Sequence, residues 1–290
     1  MNKLLSILVI LFVSTSFAEV LRPKSIEDLK QTSVRILNLE MNSGGTGSIL
    51  ASYKEASHIL TNKHVCRLIE PGGKVDYNGR ILDITHYKKF QDHDLCLVRV
   101  ATDLGITLQV ADSLAKVSNK AIVSGHPSLL PHIMTIGHLS ERMDIELLVG
   151  LKKCNKQDMK DDPQSCLWFG GKPIIKTLDA QLVSNLIKPG NSGSAVFNSK
   201  GEVIGVVFAG SGRDFSYGFI VPQIYLLYFT QNAHRFDWVK VGTPVKEDEE
   251  ILDRVFDYEK CQEVRYNQDK KLSKIKTICK NIRDNLIWSK

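Results

Sequence analysis

Nowhere in the 290 residues is there a dense block of lysine and arginine interleaved with aromatics. The formal charge of +6 is spread along the chain. It reads as a mildly basic solvated surface, and nucleic acid is not an expected partner. Beyond the N-terminus no run approaches the ~20 apolar residues of a membrane-crossing helix, so stable insertion is not expected. No cysteines stand at C-x-x-C spacing, which removes zinc-cluster and thioredoxin-type readings. No motif calls for a metal or an organic cofactor. Internal repeats and low-complexity tracts are missing too, which excludes solenoid and fibrous architectures.

What is present suits a folded, exported protein. Hydrophobic residues make up 43% and charged residues 24% of the chain, enough to bury one large core or two ordinary ones. Lys3, the apolar stretch Leu4 to Val13 and Ser16-Phe17-Ala18 have the layout of a signal peptide cleaved after Ala18. Export to the periplasm or the medium makes an even set of six cysteines a disulfide framework. Cys154 and Cys166 bracket a polar stretch and are expected to close it. Cys261 and Cys279 are expected to staple the C-terminal tail.

From Ser33 the chain becomes a series of short apolar or alternating runs broken by Gly, Asn and Asp. Examples are Val34 to Leu37, Gly47 to Leu50, His58 to Thr61, Arg80 to Ile84, Asp94 to Val100, Lys120 to Ser124 and Thr177 to Val183, with two more runs between Ser194 and Phe208. Many short strands and few helices predict an all-β fold, too long for one small barrel. Two halves are expected, at about 33–112 and 117–228, within a domain spanning 19–228. A helical extension over 229–290 follows. There Ile251, Leu252, Val255 and Phe256, and later Leu272, Ile275, Ile278, Cys279, Ile282 and Leu286, recur at helical spacing.

Chemistry concentrates in three segments. KPGNSGSAVFNSKGEVIG, Lys188 to Gly205, sets Ser192 in a glycine-bounded turn before a strand. Such a turn exposes a hydroxyl and aims backbone N–H groups at one point, as acyl transfer requires. His64 in ILTNKHVC follows a strand end, and Asp94 in DHDLCLVRV begins another. Imidazole titrates near the working pH and can take the serine proton, while a carboxylate fixes its tautomer. Asp92 is a rival for the acid. An α/β-hydrolase esterase fits poorly, since both His64 and Asp94 precede the serine.

TNKHV at 61–65, Asp94-Leu95 and PGNSGS at 189–194 resemble the signature regions of trypsin-fold serine endopeptidases of bacterial type. GHP at 125–127 and Leu178-Asp179-Ala180 are similar to the HtrA group, and GNSGS with AVFNSKGEVIG to glutamyl endopeptidases. The likeness runs from about Ser33 to Tyr228, apart from an insertion around Cys154 to Cys166. It implies two six-stranded antiparallel β-barrels with the site between them. It makes His64 the base, Asp94 its orienter and Ser192 the nucleophile, with Gly190 and Ser192 N–H groups as oxyanion hole. If acid meets base, Cys66 and Cys96, each two residues further on, come together as a disulfide.

The resemblance also has departures. Asn191 stands where zymogens of this fold hold an aspartate, so activation by a freed N-terminus is not expected. Val207 replaces the histidine with which glutamyl endopeptidases read acidic substrates. With Leu186 and Ile187 as pocket residues, an uncharged apolar side chain at the cleaved position is expected. The strand Val207-Phe208-Ala209-Gly210 is expected to pair with substrate backbone. The partner is thus a protein or peptide substrate. The competing reading is a silent trypsin-fold binding module whose cleft is covered by the insertion at 141–177.

Overall fold

Alternation builds the first half of the chain. The computed structural model describes residues 25–40, 42–70, 72–90, 93–152, 154–161, 172–210, 216–243 and 251–252. After a short helix α1 (Ile26–Lys30) come β1 (Ser33–Asn38), β2 (Ser43–Tyr53), β3 (Ala56–Thr61), helix α2 (Lys63–Ile69), β4 (Lys74–Tyr77), β5 (Arg80–Lys89) and β6 (Cys96–Val100). Val34 and Ile36, two apart on β1, point inward and meet Ile49, Ile59, Val75, Val98 and Val100. The strands run β5-β4-β1-β2-β3-β6, and pairing of β5 with β6 closes the barrel.

A second closed barrel follows, built from β7 (Lys120–Gly125), β8 (Ile133–Lys152), β9 (Lys172–Val183), β10 (Ala195–Phe197), β11 (Val203–Gly210) and β12 (Gly218–Pro222). Its order is β8-β7-β10-β11-β12-β9, closed by β8 on β9. The fold is the all-β, two-part architecture that the strand pattern predicts, and its two six-stranded antiparallel barrels are those the family resemblance implies. Between the barrels lies a shared apolar cluster. Leu60, Leu95 and Leu97 from the first meet Ile122, Phe197, Val206 and Phe208 from the second, together with Leu226 and Phe229. The last two belong to a C-terminal helix. Counting the one-turn α3 (Asp158–Asp161), that helix is α4 (Gln223–Gln231).

Several elements depart from the sequence expectation. The insertion at 141–177 is, in its described part, largely a continuation of β8 and β9, paired from Leu139–Val183 out to Lys152–Lys172. Within 229–290, Val239–Lys240 form β13 on the edge of β5, and Ile251–Leu252 form β14 on β8. Helical spacing at 251–252 yields there because a sheet edge offers backbone partners that a local pattern does not register. The signal segment 1–18, Asp92, Cys166, Cys261, Cys279 and the stretch 272–286 lie outside the described residues.

Candidate active site

Asp94 does two jobs at the start of α2. Asn62 is the N-cap, but its side chain makes no capping bond, so the first N–H groups need another acceptor. Asp94 Oδ1 accepts the His64 N–H at 2.9 Å, while Oδ2 meets His64 Nδ1 at 2.6 Å. Asn62 Nδ2 donates to the Asp94 carbonyl at 2.8 Å. One carboxylate therefore caps the helix and orients the ring projecting from it. Burial pushes the Asp94 pKa up, but the His64 charge and both His64 hydrogen bonds, aided by Lys63, outweigh it and leave the pKa below its ordinary value. An ionised carboxylate only accepts, so Nδ1 carries a ring proton, and in the neutral ring Nε2 is then the nitrogen that holds the lone pair.

His64 lies in the first turn of a helix, and Asp94 precedes β6, which begins at Cys96. The two-residue spacing of Cys66 from His64 and of Cys96 from Asp94 is therefore not a strand repeat in either segment. The disulfide Cys66–Cys96 nevertheless forms, with Cα atoms 6.5 Å apart, because α2 packs directly over β6. From the other side, Phe90 N–H bonds the Leu95 carbonyl at 2.9 Å and the Phe90 ring stacks on Phe229 of α4 at 5.3 Å. Both ends of the Asp94 turn are held. Cys154 is disulfide-bonded as well.

Ser192 sits in a turn that its glycines make possible. Gly190 and Gly193 both have φ of +89°, a region costly for other residues. The Lys188 carbonyl accepts the Asn191 N–H at 3.0 Å, and the Asn191 carbonyl accepts the Ser194 N–H at 2.9 Å. The Pro189 carbonyl is held by the Ser128 N–H. In a trans peptide the N–H points opposite to the C=O. Gly190 N–H therefore turns away from Ser128, and Ser192 N–H away from Ser194. Among the described residues neither has a backbone partner.

The serine turn is locked to the histidine segment through β2. Thr46 N–H donates to the Ser192 carbonyl at 2.7 Å, and Thr61 Oγ1 donates to the Thr46 carbonyl at 2.8 Å. A Cβ on Gly45 would lie 2.7 Å from Val65 Cγ2 and 2.9 Å from the Ser192 carbonyl oxygen, so the two segments meet across this glycine. Thr46 Oγ1 also donates to the Gly190 carbonyl at 2.7 Å and accepts the His126 N–H at 3.0 Å. The 126–130 loop is fixed in turn by Arg35 Nη1, which donates to the Leu129 carbonyl at 3.1 Å, and Arg35 is ion-paired to Asp76.

The remaining sequence-selected residues are distributed unevenly. Ile187 is fully buried against Gly218, where an added Cβ would meet its Cγ1 at 2.3 Å, whereas Leu186 is 46% exposed. Val207, Phe208 and Ala209 are buried, and Ala209 and Gly210 pair with Phe219 and Gly218 on β12. On the opposite edge of β11, Val207 N–H reaches the Ser194 carbonyl at 2.9 Å. From Phe208 to Gly210 that edge has no strand partner among the described residues. Asp179, from the HtrA-like segment, is bound by Arg142 and by the Tyr225 hydroxyl at 2.9 Å, and so ties β8, β9 and α4 together.

Sequence reasoning passed over Thr46, Arg35 and the 126–130 loop as parts of this site. Local signs are a threonine wedged between Gly45 and Gly47 and the GHP segment at the head of the loop, whereas Ser128 and Leu129 at positive φ have none.

A family model, the trypsin-like peptidase domain, matches residues 45–206, more than half of the chain. A probable periplasmic serine endoprotease, DegP-like, from Chlamydia trachomatis is 27% identical over 193 residues, 62% of this chain and 31% of that protein. The chain thus spans under a third of the length of that curated relative. The active form of the Rv3671c protease from Mycobacterium tuberculosis superposes with a TM-score of 0.55 at 18% identity, over 80% of this chain and 95% of that one. A serine endoprotease from Yersinia pestis gives 0.53 at 20% identity, over 73% and 66%.

Proposed function

The chain belongs to the trypsin-like peptidase domain family, and on that premise we propose that it is an exported serine endopeptidase working through His64, Asp94 and Ser192. The observation that carries this reading is the clamp of one carboxylate on both the backbone and the ring of His64, joined through Thr46 and Gly45 to the Ser192 turn.

Ser192 Oγ attacks the scissile carbonyl as its proton passes to His64 Nε2. Asp94 stays ionised and stabilises the imidazolium. The carbonyl oxygen, now negative, is met by the N–H groups of Gly190 and Ser192, where one donor is typically worth ~3 kcal/mol. His64 then gives the proton to the departing amine, leaving an acyl-enzyme. Water then gives a proton to His64 and its oxygen to the acyl carbon. The bond from Ser192 Oγ to that carbon breaks as His64 returns the proton to the serine, releasing the carboxylic acid. Substrate backbone adds to the open edge at Phe208 to Gly210.

Pocket chemistry favours an uncharged apolar residue at the cleaved position. Ile187, Val207, Phe208 and Ala209 offer no charged partner, and burying an unpaired charge is costly. Ile187 against Gly218 restricts the side chain to modest size. Export is supported by the Cys66–Cys96 disulfide and by the periplasmic relative. The decisive experiment is labelling of the mature chain with a serine-directed fluorophosphonate, alongside cleavage of a peptide library. Label on the natural chain but not on Ser192→Ala, with cuts after apolar residues, is the expected result. A chain that neither labels nor cleaves is a silent binding module instead.

A further inference from the structure

Residues directly opposite one another on neighbouring antiparallel strands point to the same face. On the first barrel His58 is opposite Arg99, Arg99 opposite His86, and His86 opposite Lys240. Their chain neighbours Ile59, Val98, Tyr87 and Val239 pack toward the barrel core, so the four basic side chains form one row outside it. At ~4.8 Å per strand the row is about 15 Å long. Lys88 lies beside it, with Nζ 4.2 Å from the centre of the Trp238 ring and bonded to the Ala233 carbonyl at 2.8 Å.

Like charges opposite one another on a sheet repel. Elsewhere on this barrel three cations have carboxylates: Arg35 has Asp76, Lys74 has Asp83 and Lys89 has Glu70. In the row, none of the four forms an ion pair among the described residues. Burial, then the charges of Arg99 and Lys88, hold the His58 pKa below its ordinary value. The row's half-buried permanent charge without a carboxylate is the Arg99 guanidinium.

Aromatic rings stand beside it. His58 lies between Tyr53 and Trp238, with ring centres 5.0 and 4.9 Å away. Tyr53, Lys54, Glu55, His58, Arg99 and Trp238 line a cavity of about 310 Å³. That is at the lower end of the range for small-molecule sites, suited to a group the size of one aromatic residue. His58 lies near the start of β3 and His64 beyond its end, more than ~10 Å along the strand.

We propose that this cavity binds a single carboxylate carried on an aromatic or apolar body, at a site separate from the Ser192 turn. Arg99 takes the carboxylate with its planar fork of donors, and Tyr53 and Trp238 cover the body. Glu55 on the rim opposes a second negative charge, which separates this ligand from a polyanion laid along the row. Two sources share the chemistry: the C-terminal residue of a peptide, and a free aromatic acid. Neither requires that Ser192 be active.

The test is calorimetric titration of the mature Ser192→Ala chain with N-acetyl-phenylalanine, its amide, and short peptides ending in phenylalanine with free or amidated C-termini. The acids are expected to bind at least about tenfold more tightly than the amides. Arg99→Gln removes that difference, and Arg99→Lys, which keeps the charge but loses the fork, leaves part of it. Tyr53→Ala, at an exposed position, weakens acid and amide alike. Binding of free-acid peptides identifies the peptide terminus as ligand, and binding of the small acid alone identifies a metabolite-sized one. The proposal is overturned if acid and amide bind equally, or if no heat is seen up to ~10 mM. It is also overturned if Arg99→Gln, folded by its melting curve, binds acid unchanged, or if heparin binds while monocarboxylates do not.

Discussion

Thr46 Oγ1 donates a hydrogen bond to the Gly190 carbonyl at 2.7 Å while accepting one from the His126 N–H at 3.0 Å. The hydroxyl thus links the 126–130 loop to the peptide group beside the proposed oxyanion hole. Thr46→Val keeps the shape and removes the link. We expect kcat to fall by ~10²-fold with KM little changed, because a misplaced donor costs transition-state binding rather than substrate binding. Thr46→Ser should restore most of the loss. Steady-state kinetics on an apolar-directed peptide substrate reads both, and a fall confined to KM would refute the assignment.

Asp94→Asn should lower kcat by ~10⁴-fold, since the amide no longer selects the tautomer that leaves Nε2 free to accept. It should also alter the acid limb of stability. A carboxylate whose folded pKa is depressed stabilises the fold above its unfolded pKa, and that contribution is lost as pH falls through the folded value. Urea unfolding at a series of acidic pH values should show a shallower decline in the variant than in the natural chain.

A second pH effect comes from the 126–132 region. Burial, then His126 and Lys30, push the His132 pKa down to about 4, and burial also lowers that of His126. The groups facing the pair are Ser124, which meets His132 Nε2 at 2.7 Å, with Arg35 and Asp76 of the first barrel. Once pH drops below the unfolded value of 6.5, the unfolded chain binds protons that the folded chain does not. Stability should therefore fall between pH 6.5 and about 4 and level off for His132 below that. His132→Gln, which preserves a polar partner for Ser124, should flatten the decline in melting temperature.

The Cys66–Cys96 bridge closes a loop with a sequence separation of 30. In the chain-entropy account such a loop is worth roughly 3–4 kcal/mol. Replacing both cysteines by alanine should lower unfolding free energy by about that amount in urea. Activity should fall too, because the bridge ties α2, which carries His64, to β6, which follows Asp94. Unchanged stability would show that packing alone holds the two segments.

Much of the fold was legible because burial with period two leaves its mark on the residues themselves, as at Val34 and Ile36 or Val98 and Val100. The short β4 and the long extension of β8 were not. Lys74–Tyr77 is too brief for a periodic signal, and Ser140 to Asp144 on β8 lie at or near the surface, so they carry little core pattern. His64, Asp94 and Ser192 stood out as chemical types in distinctive local contexts, and the structure brings His64 and Asp94 within hydrogen-bond distance. Asp94 as a helix cap was invisible, since the acceptor lies thirty residues from the donor it serves.

The sequence by itself determined the two-barrel class, the segments where chemistry is concentrated, and the glycines at 190 and 193 without which the serine turn has no allowed backbone. Tertiary structure alone decided what meets those segments: Thr46 between two loops, Arg35 reaching from the first barrel to Leu129, and a row of cations assembled from β3, β6, β5 and β13. The physical reason is the range of the forces. Backbone dihedrals and burial period are local properties of the chain, whereas hydrogen bonds and charges act between whichever residues strand register brings together.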